Sequence, residues 1–129
     1  MLALSALASI ARADEGGWIS LSGPKGLEAW KAPVGAWFLA SEVGIDPKNP
    51  RLLAAKPGDR ILVNGPKGNT NNLLSKQAFG DIEFYCEFMV PQRSNSGVKF
   101  EGLYEIQIAD SHGIKTPTAS DCGGIYPRA

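Results

Sequence analysis

From residue 81 onward the apolar side chains fall on every second position, and this alternation constrains the fold more than any other feature of the sequence. In DIEFYCEFMV (residues 81–90), Ile82, Phe84, Cys86, Phe88 and Val90 share one parity, while Glu83, Tyr85, Glu87 and Met89 share the other. A period of two is the mark of a strand with one dry face. Val98 and Phe100 then alternate with Lys99 and Glu101, and Tyr104, Ile106 and Ile108 alternate with Glu105 and Gln107. Only short turn-forming stretches, residues 91–94 and Gly102-Leu103, separate the three runs. They are therefore expected to form an antiparallel meander, because parallel neighbours need a crossover of about a dozen residues or more. With the apolar set on one side, the other side gathers Glu83, Tyr85, Glu87, Lys99, Glu101, Glu105 and Gln107. Such a face is either solvated surface or the floor of a binding groove.

The first half is less regular. Residues 18–21, 36–40 (AWFLA) and 60–64 (RILVN) read as strands and residues 27–31 as a short turn or strand edge, while Asp46-Pro47, Asn49-Pro50 and Pro57-Gly58 are expected to break regular structure. The tetrapeptide Gly-Pro-Lys-Gly occurs at residues 23–26 and again at 65–68, in unlike surroundings, which fits two surface turns and no duplication. With 15 Gly and 9 Pro in 129 residues there is little room for long helices, so the expected class is all-β.

Charge and residue counts narrow the function. Thirteen Lys and Arg balance thirteen Asp and Glu and lie scattered, whereas a groove that neutralises several phosphates needs a clustered basic excess, so no nucleic-acid partner is expected. One His and two Cys cannot supply a multi-histidine metal site or a zinc ribbon. Glu83, Glu87 and Glu101 lack a calcium-loop spacing and read as solvated carboxylates. Neither metal nor cofactor is expected.

Residues 1–13 (MLALSALASIARA) are apolar and close on Ala11-Arg12-Ala13, a small-x-small pattern of the kind cut by signal peptidase, here before Asp14. The basic start of such a leader is missing, which fits a signal-peptide remnant; the alternative is a short core helix. The run is too short to span a bilayer, for which about 20 apolar residues are needed, so a transmembrane protein is not expected. Export, to the periplasm or beyond, permits a bridge between Cys86 and Cys122 that would contribute roughly 4 kcal/mol. The parity of Cys86 equally fits a buried thiol.

Beyond the last alternating run, Asp110-Ser111-His112-Gly113 places two carboxylates, an amide and the only imidazole between Glu105 and His112, at and past a strand end. Loop mouths of this kind concentrate function, and a carboxylate beside a His suits proton transfer on a small polar molecule. An Asp-x-His turn is also a common hydrogen-bonded loop.

The stretches GWISL, LEAWK, LLSKQAFGDIEFYCEF, SNSGVKFEGLYEIQIADSHG and CGGIYPRA resemble the 3-keto-disaccharide hydrolase family, whose members are also described as 3-keto-glucoside lyase and 3-keto-2-hydroxy-glucal hydratase domains. The resemblance runs from Gly17 to the last residue. The most specific part is Asn95-Ser96-Gly97, then Tyr104-Glu105-x-Gln107, then Asp110. It implies a concanavalin-like lectin/glucanase jelly-roll sandwich of two antiparallel sheets with a concave face that takes carbohydrate. Domains of this family run well past the CGGIY segment, so residues 14–129 are expected to be the N-terminal part of one such domain, with late strands missing.

The resemblance also implies a chemistry. A ketone at carbon 3 of a glycoside acidifies the carbon 2 proton by stabilising an enolate, so the site must supply a base near carbon 2, a donor or cation near the carbon 3 oxygen and an acid for the leaving group. This differs from a glycosidase carboxylate pair acting on an oxocarbenium ion. Elimination and then addition of water amount to hydrolysis. The residues at the matching positions suggest Glu105 as base, Gln107 as a hydroxyl-binding amide, Asp110 and His112 as acid, base or orienting groups at the rim, and Lys99 as the cation that steadies an enolate oxygen. Asn95 is expected to bind a sugar hydroxyl or to end a hairpin, and Tyr85 or Trp37 to stack on a sugar ring or serve packing. The main competing reading is a noncatalytic, lectin-like carbohydrate-binding module on the same sandwich, and behind it a cell-surface adhesion domain.

Overall fold

The computed structural model describes residues 3–5, 17–23 and 25–126. Apart from one 3₁₀ turn, Gly26–Ala29, every regular element among these residues is a strand. Seven strands form two antiparallel sheets. They are β1 (Ala3–Ser5), β2 (Phe38–Asp46), β3 (Asn49–Val63), β4 (Glu87–Met89), β5 (Asn95–Phe100), β6 (Tyr104–Ala109) and β7 (Ile125–Tyr126). The first sheet has the order β2-β3-β1-β4 and the second the order β5-β6-β7. The all-β expectation therefore holds. Of the apolar run at the N-terminus only residues 3–5 are described, and their backbone pairs Ala3 with Val63 and Met89, and Leu4 with Leu62 and Phe88. The expected leader boundary before Asp14 lies outside the described residues.

Two strand assignments change. The long alternating run at 81–90 is ladder-bonded only over Glu87–Met89, and those residues join the first sheet and not the meander. Alternation supplies a face but not a partner, and among the described residues β4 pairs only with Ala3–Ser5 of β1. Ile82 and Phe84 are exposed, and Phe84 meets Phe100 edge-on at a centroid distance of 5.9 Å. Residues 18–21 form no ladder either. Their carbonyl at Leu21 accepts a hydrogen bond from the Trp30 indole N–H at 3.1 Å.

The prolines at 50 and 57 do not break structure as expected. Both sit inside the 15-residue β3. Proline is tolerated in a strand where its missing N–H is not needed, at an edge or a bulge. The register slips at Ala40, which faces both Ile61 and Pro57, so residues between them bulge out. Ser41 closes that bulge: its hydroxyl donates to the Pro57 carbonyl at 3.1 Å and its own carbonyl accepts from the Arg60 guanidinium at 2.7 Å. Gly58 is required there, because a Cβ would collide with the Ser41 backbone.

Among the described residues, the buried apolar side chains include Ala40, Leu62, Val63, Pro91 and Ile108. Leu62 and Val63 bring the end of β3 into the interior of the first sheet, and Ile108 does the same from β6 of the second. Parity then decides the rest of β6. With Ile106 and Ile108 turned one way, Glu105 and Gln107 must face the other.

Candidate functional site

Register builds the site. Across β5 and β6, Asn95 faces Ala109, Gly97 faces Gln107 and Lys99 faces Glu105. Across β6 and β7, Glu105 faces Tyr126. Directly opposed residues share a face, so Asn95, Gly97, Lys99, Glu105, Gln107 and Tyr126 form one patch on three adjacent strands. A cavity of about 300 Å³ opens on this patch and is lined by Asn95, Glu105, Gln107, Ser120 and Tyr126. That volume is at the small end of the range for ligand sites.

Among the described residues, Glu105 is the one carboxylate on the cavity wall. Its Oε2 lies 3.4 Å from the Lys99 ammonium, and its side chain is 23% exposed against 55% for Lys99. The carboxylate lies across Gly97. A Cβ built on that glycine would overlap Glu105 Oε1 and stand 2.6 Å from its Cγ. A glycine inside a strand often marks close approach of another group, and here that group is the candidate base. Residues 95–97 are therefore strand and not the end of a hairpin.

Gln107 is 4% exposed, and its amide is oriented by two acceptors. Nε2 donates to Asn95 Oδ1 and to the Ser120 carbonyl, both at 3.4 Å. With the nitrogen committed to these groups, Oε1 is left as the acceptor of that side chain. Asn95 lines the cavity and also orients Gln107.

The segment between β6 and β7 supplies Ser120, which sequence reasoning missed. Asp121 Oδ2 accepts from the Thr118 backbone N–H at 2.7 Å and from its hydroxyl at 2.9 Å, and the Asp121 N–H donates to the Thr118 carbonyl at 3.1 Å. The Gln107 backbone closes the segment on β6, donating to the Gly124 carbonyl at 2.8 Å and accepting from the Gly123 N–H at 2.9 Å. A Cβ on Gly124 would collide with the Ala119 carbonyl oxygen, so the Gly-Gly pair lets two backbones meet beneath the cavity. Tyr126 was also missed. Its signal was present, since CGGIY puts an aromatic two residues beyond the Gly-Gly pair, but only pairing with β6 shows which face it shares.

Other expected site residues stand elsewhere. Asp110 is exposed; its Oδ2 accepts from the Arg93 backbone N–H at 2.9 Å, and its own N–H donates to the Ser94 carbonyl at 3.0 Å. It pins the mouth of the β5–β6 pair. His112 is exposed in the following turn and does not line the cavity, while Ser111 beside it accepts from the Cys122 N–H at 3.0 Å. Tyr85 is exposed outside the strands, and its hydroxyl donates to Glu87 at 3.0 Å. That hydrogen bond, more than the nearby charge of the same carboxylate, pushes the Tyr85 phenol above its ordinary value. Trp37 donates its indole N–H to the Asn71 carbonyl at 2.7 Å and so ties down the loop at 69–72. Lys99 is on the expected face but engages Glu105 and does not line the cavity.

Both cysteines are free. Cys86 is half-buried, and desolvation pushes its thiol up. Among the described residues no group of three or more His, Cys, Asp or Glu is placed to hold a metal ion, and no helix is long and apolar enough to cross a membrane.

In comparisons with known proteins, the family model described as a 3-keto-alpha-glucoside-1,2-lyase-like domain matches residues 17–129. No curated protein and no solved structure matches the chain.

Proposed function

Because the chain belongs to the 3-keto-alpha-glucoside-1,2-lyase-like domain family, we propose that it is an exported carbohydrate-active enzyme that cleaves 3-keto glycosides by elimination followed by hydration. The reading places the two antiparallel sheets in a concanavalin-like sandwich.

The observation that carries the reading is the setting of Glu105. It is the carboxylate on the wall of a polar cavity, held over bare backbone at Gly97 and anchored by Lys99. A base restrained in this way loses little further freedom when it meets a carbon acid, which is what positioning contributes to proton transfer. Glu105 takes the proton from carbon 2 of the sugar. The Gln107 Oε1, fixed by Asn95 and Ser120, accepts from a sugar hydroxyl and sets the ring against the base. Lys99 works through Glu105 in this arrangement, not directly on the enolate oxygen.

The test is to incubate the purified chain with an alkyl 3-keto glucoside and follow release of the alcohol and of the 3-keto sugar, with Glu105→Gln in parallel. The expected result is turnover by the wild type and loss of turnover in Glu105→Gln, with unchanged circular dichroism. Calorimetric binding of the keto glycoside by the wild type without turnover would instead establish the lectin-like module.

A further inference from the structure

Elimination needs a second proton transfer, because the departing glycosidic oxygen must leave as an alcohol. Asp110 is bonded to the Arg93 N–H, and neither it nor His112 lines the cavity. Of the five described residues that line it, only Ser120 and Tyr126 carry a hydroxyl. A phenol gives up its proton far more readily than an aliphatic hydroxyl. Tyr126 also has the better position. It stands directly opposite Glu105 across the β6–β7 ladder, where facing Cβ atoms are separated by about 5 Å, and it lines the cavity as an exposed side chain.

We propose that Tyr126 is the general acid of the elimination and the general base of the hydration, acting on the oxygen at carbon 1 while Glu105 acts at carbon 2. The inference rests on the reading of the protein as a 3-keto glycoside-cleaving enzyme. Glu105 removes the carbon 2 proton, and the electron pair of that C–H bond forms the enolate with the carbon 3 ketone. Collapse of the enolate makes the carbon 1–carbon 2 double bond and breaks the bond from carbon 1 to the leaving oxygen, which takes the phenolic proton of Tyr126. The phenolate then removes a proton from water as the water oxygen bonds to carbon 1, and the protonated Glu105 returns its proton to carbon 2. Water and glycoside become 3-keto sugar and alcohol. Both side chains end as they began, and no oxidant or reductant is consumed.

A ring that only stacks on the sugar would be fully replaced by phenylalanine, so Tyr126→Phe with two leaving groups separates the roles. An alkyl 3-keto glucoside expels a basic alkoxide that needs a proton, whereas 4-nitrophenyl 3-keto glucoside expels a stable phenolate that does not. The expected result is that Tyr126→Phe slows alcohol release from the alkyl substrate by about 100-fold or more and leaves 4-nitrophenolate release within a few-fold of wild type. Equal retention of both activities overturns the assignment in favour of stacking. Equal loss of both, in a variant with wild-type circular dichroism, also overturns it, because an acid acts selectively on the poor leaving group. Wild-type protein that turns over neither substrate overturns the parent reading of function and this assignment with it.

Discussion

The carboxylate of Glu105 on β6 lies across the bare Cα of Gly97 on β5, in space that any Cβ at position 97 would take. Gly97 faces Gln107 in the ladder and lies diagonal to Glu105, so its missing side chain serves the neighbour of its own partner. One glycine thus ties the strand register to the position of the candidate base.

Gly97→Ala should therefore displace Glu105 without unpairing β5 from β6, since alanine is accommodated by extended backbone. Turnover of an alkyl 3-keto glucoside should fall by about 100-fold, as for a displaced catalytic group, while far-ultraviolet circular dichroism stays that of the wild type. Undiminished turnover would show that the carboxylate has somewhere else to work from.

Lys99 anchors the same carboxylate from the other side at 3.4 Å and is itself more than half exposed. An anchor of this kind acts through geometry, so Lys99→Met should lower kcat by about 10-fold with little change in KM, and Lys99→Arg should recover most of the loss. Raised salt should weaken the wild type toward the methionine variant, because the pair is reached by solvent. A matching loss in the arginine variant would argue that Lys99 touches substrate instead.

Much of this arrangement was legible in the sequence, and the failures share a cause. Parity placed Lys99, Glu105 and Gln107 on one face, because in a strand side-chain direction follows from counting by two. Parity cannot supply a ladder partner, which is why Ile82 and Phe84 alternate as if in a strand yet lie outside one. It also cannot see contacts made through backbone atoms. Asp110 looked chemical in DSHG, but its carboxylate is bonded to the Arg93 N–H, and Ser120 reaches Gln107 through its carbonyl, a group every residue has. Gly97 carried its own signal as a glycine within an alternating run, and Pro57 carried the signal of a bulge that composition alone reads as a break.

The two thiols should differ sharply in reactivity. Thiolate is the reactive form, and burial pushes the Cys86 thiol up while Cys122 is exposed. With iodoacetamide at pH 8, mass spectrometry should find Cys122 modified first and Cys86 approaching the same rate only in denaturant. Equal native rates would mean that residue 86 is open to solvent.

Tyr85 reports on its carboxylate neighbour. The hydrogen bond to Glu87 favours the neutral phenol, so its ionisation is pushed above the ordinary tyrosine range. A group whose folded pKa is raised contributes stability at lower pH and loses that contribution as pH rises through the folded value, so this contact supports the fold at neutrality and fails in the alkaline limb. Absorbance titration should show the Tyr85 phenol delayed, and Glu87→Gln should bring it forward. An unchanged titration in that variant would separate the two residues in solution.

Asp121 tests whether the segment between β6 and β7 is part of the site or merely near it. Its carboxylate accepts two hydrogen bonds from Thr118, at 2.7 and 2.9 Å, and these close the turn that aims the Ser120 carbonyl at Gln107. Asp121→Ala removes both acceptor contacts but leaves the Gln107 backbone bonds to Gly123 and Gly124, so the ladder should survive. Stability to urea should drop by only about 1 kcal/mol, the usual net value of such bonds. The effect on substrate should be larger than that loss suggests, because a wandering Ser120 carbonyl frees the Gln107 amide to rotate and scrambles the hydroxyl acceptor in the cavity. KM for the 3-keto glucoside should rise with kcat nearly unchanged, since Glu105 is held separately by Gly97 and Lys99. A fall in kcat at constant KM would reverse this division of labour and make the segment a support for the base.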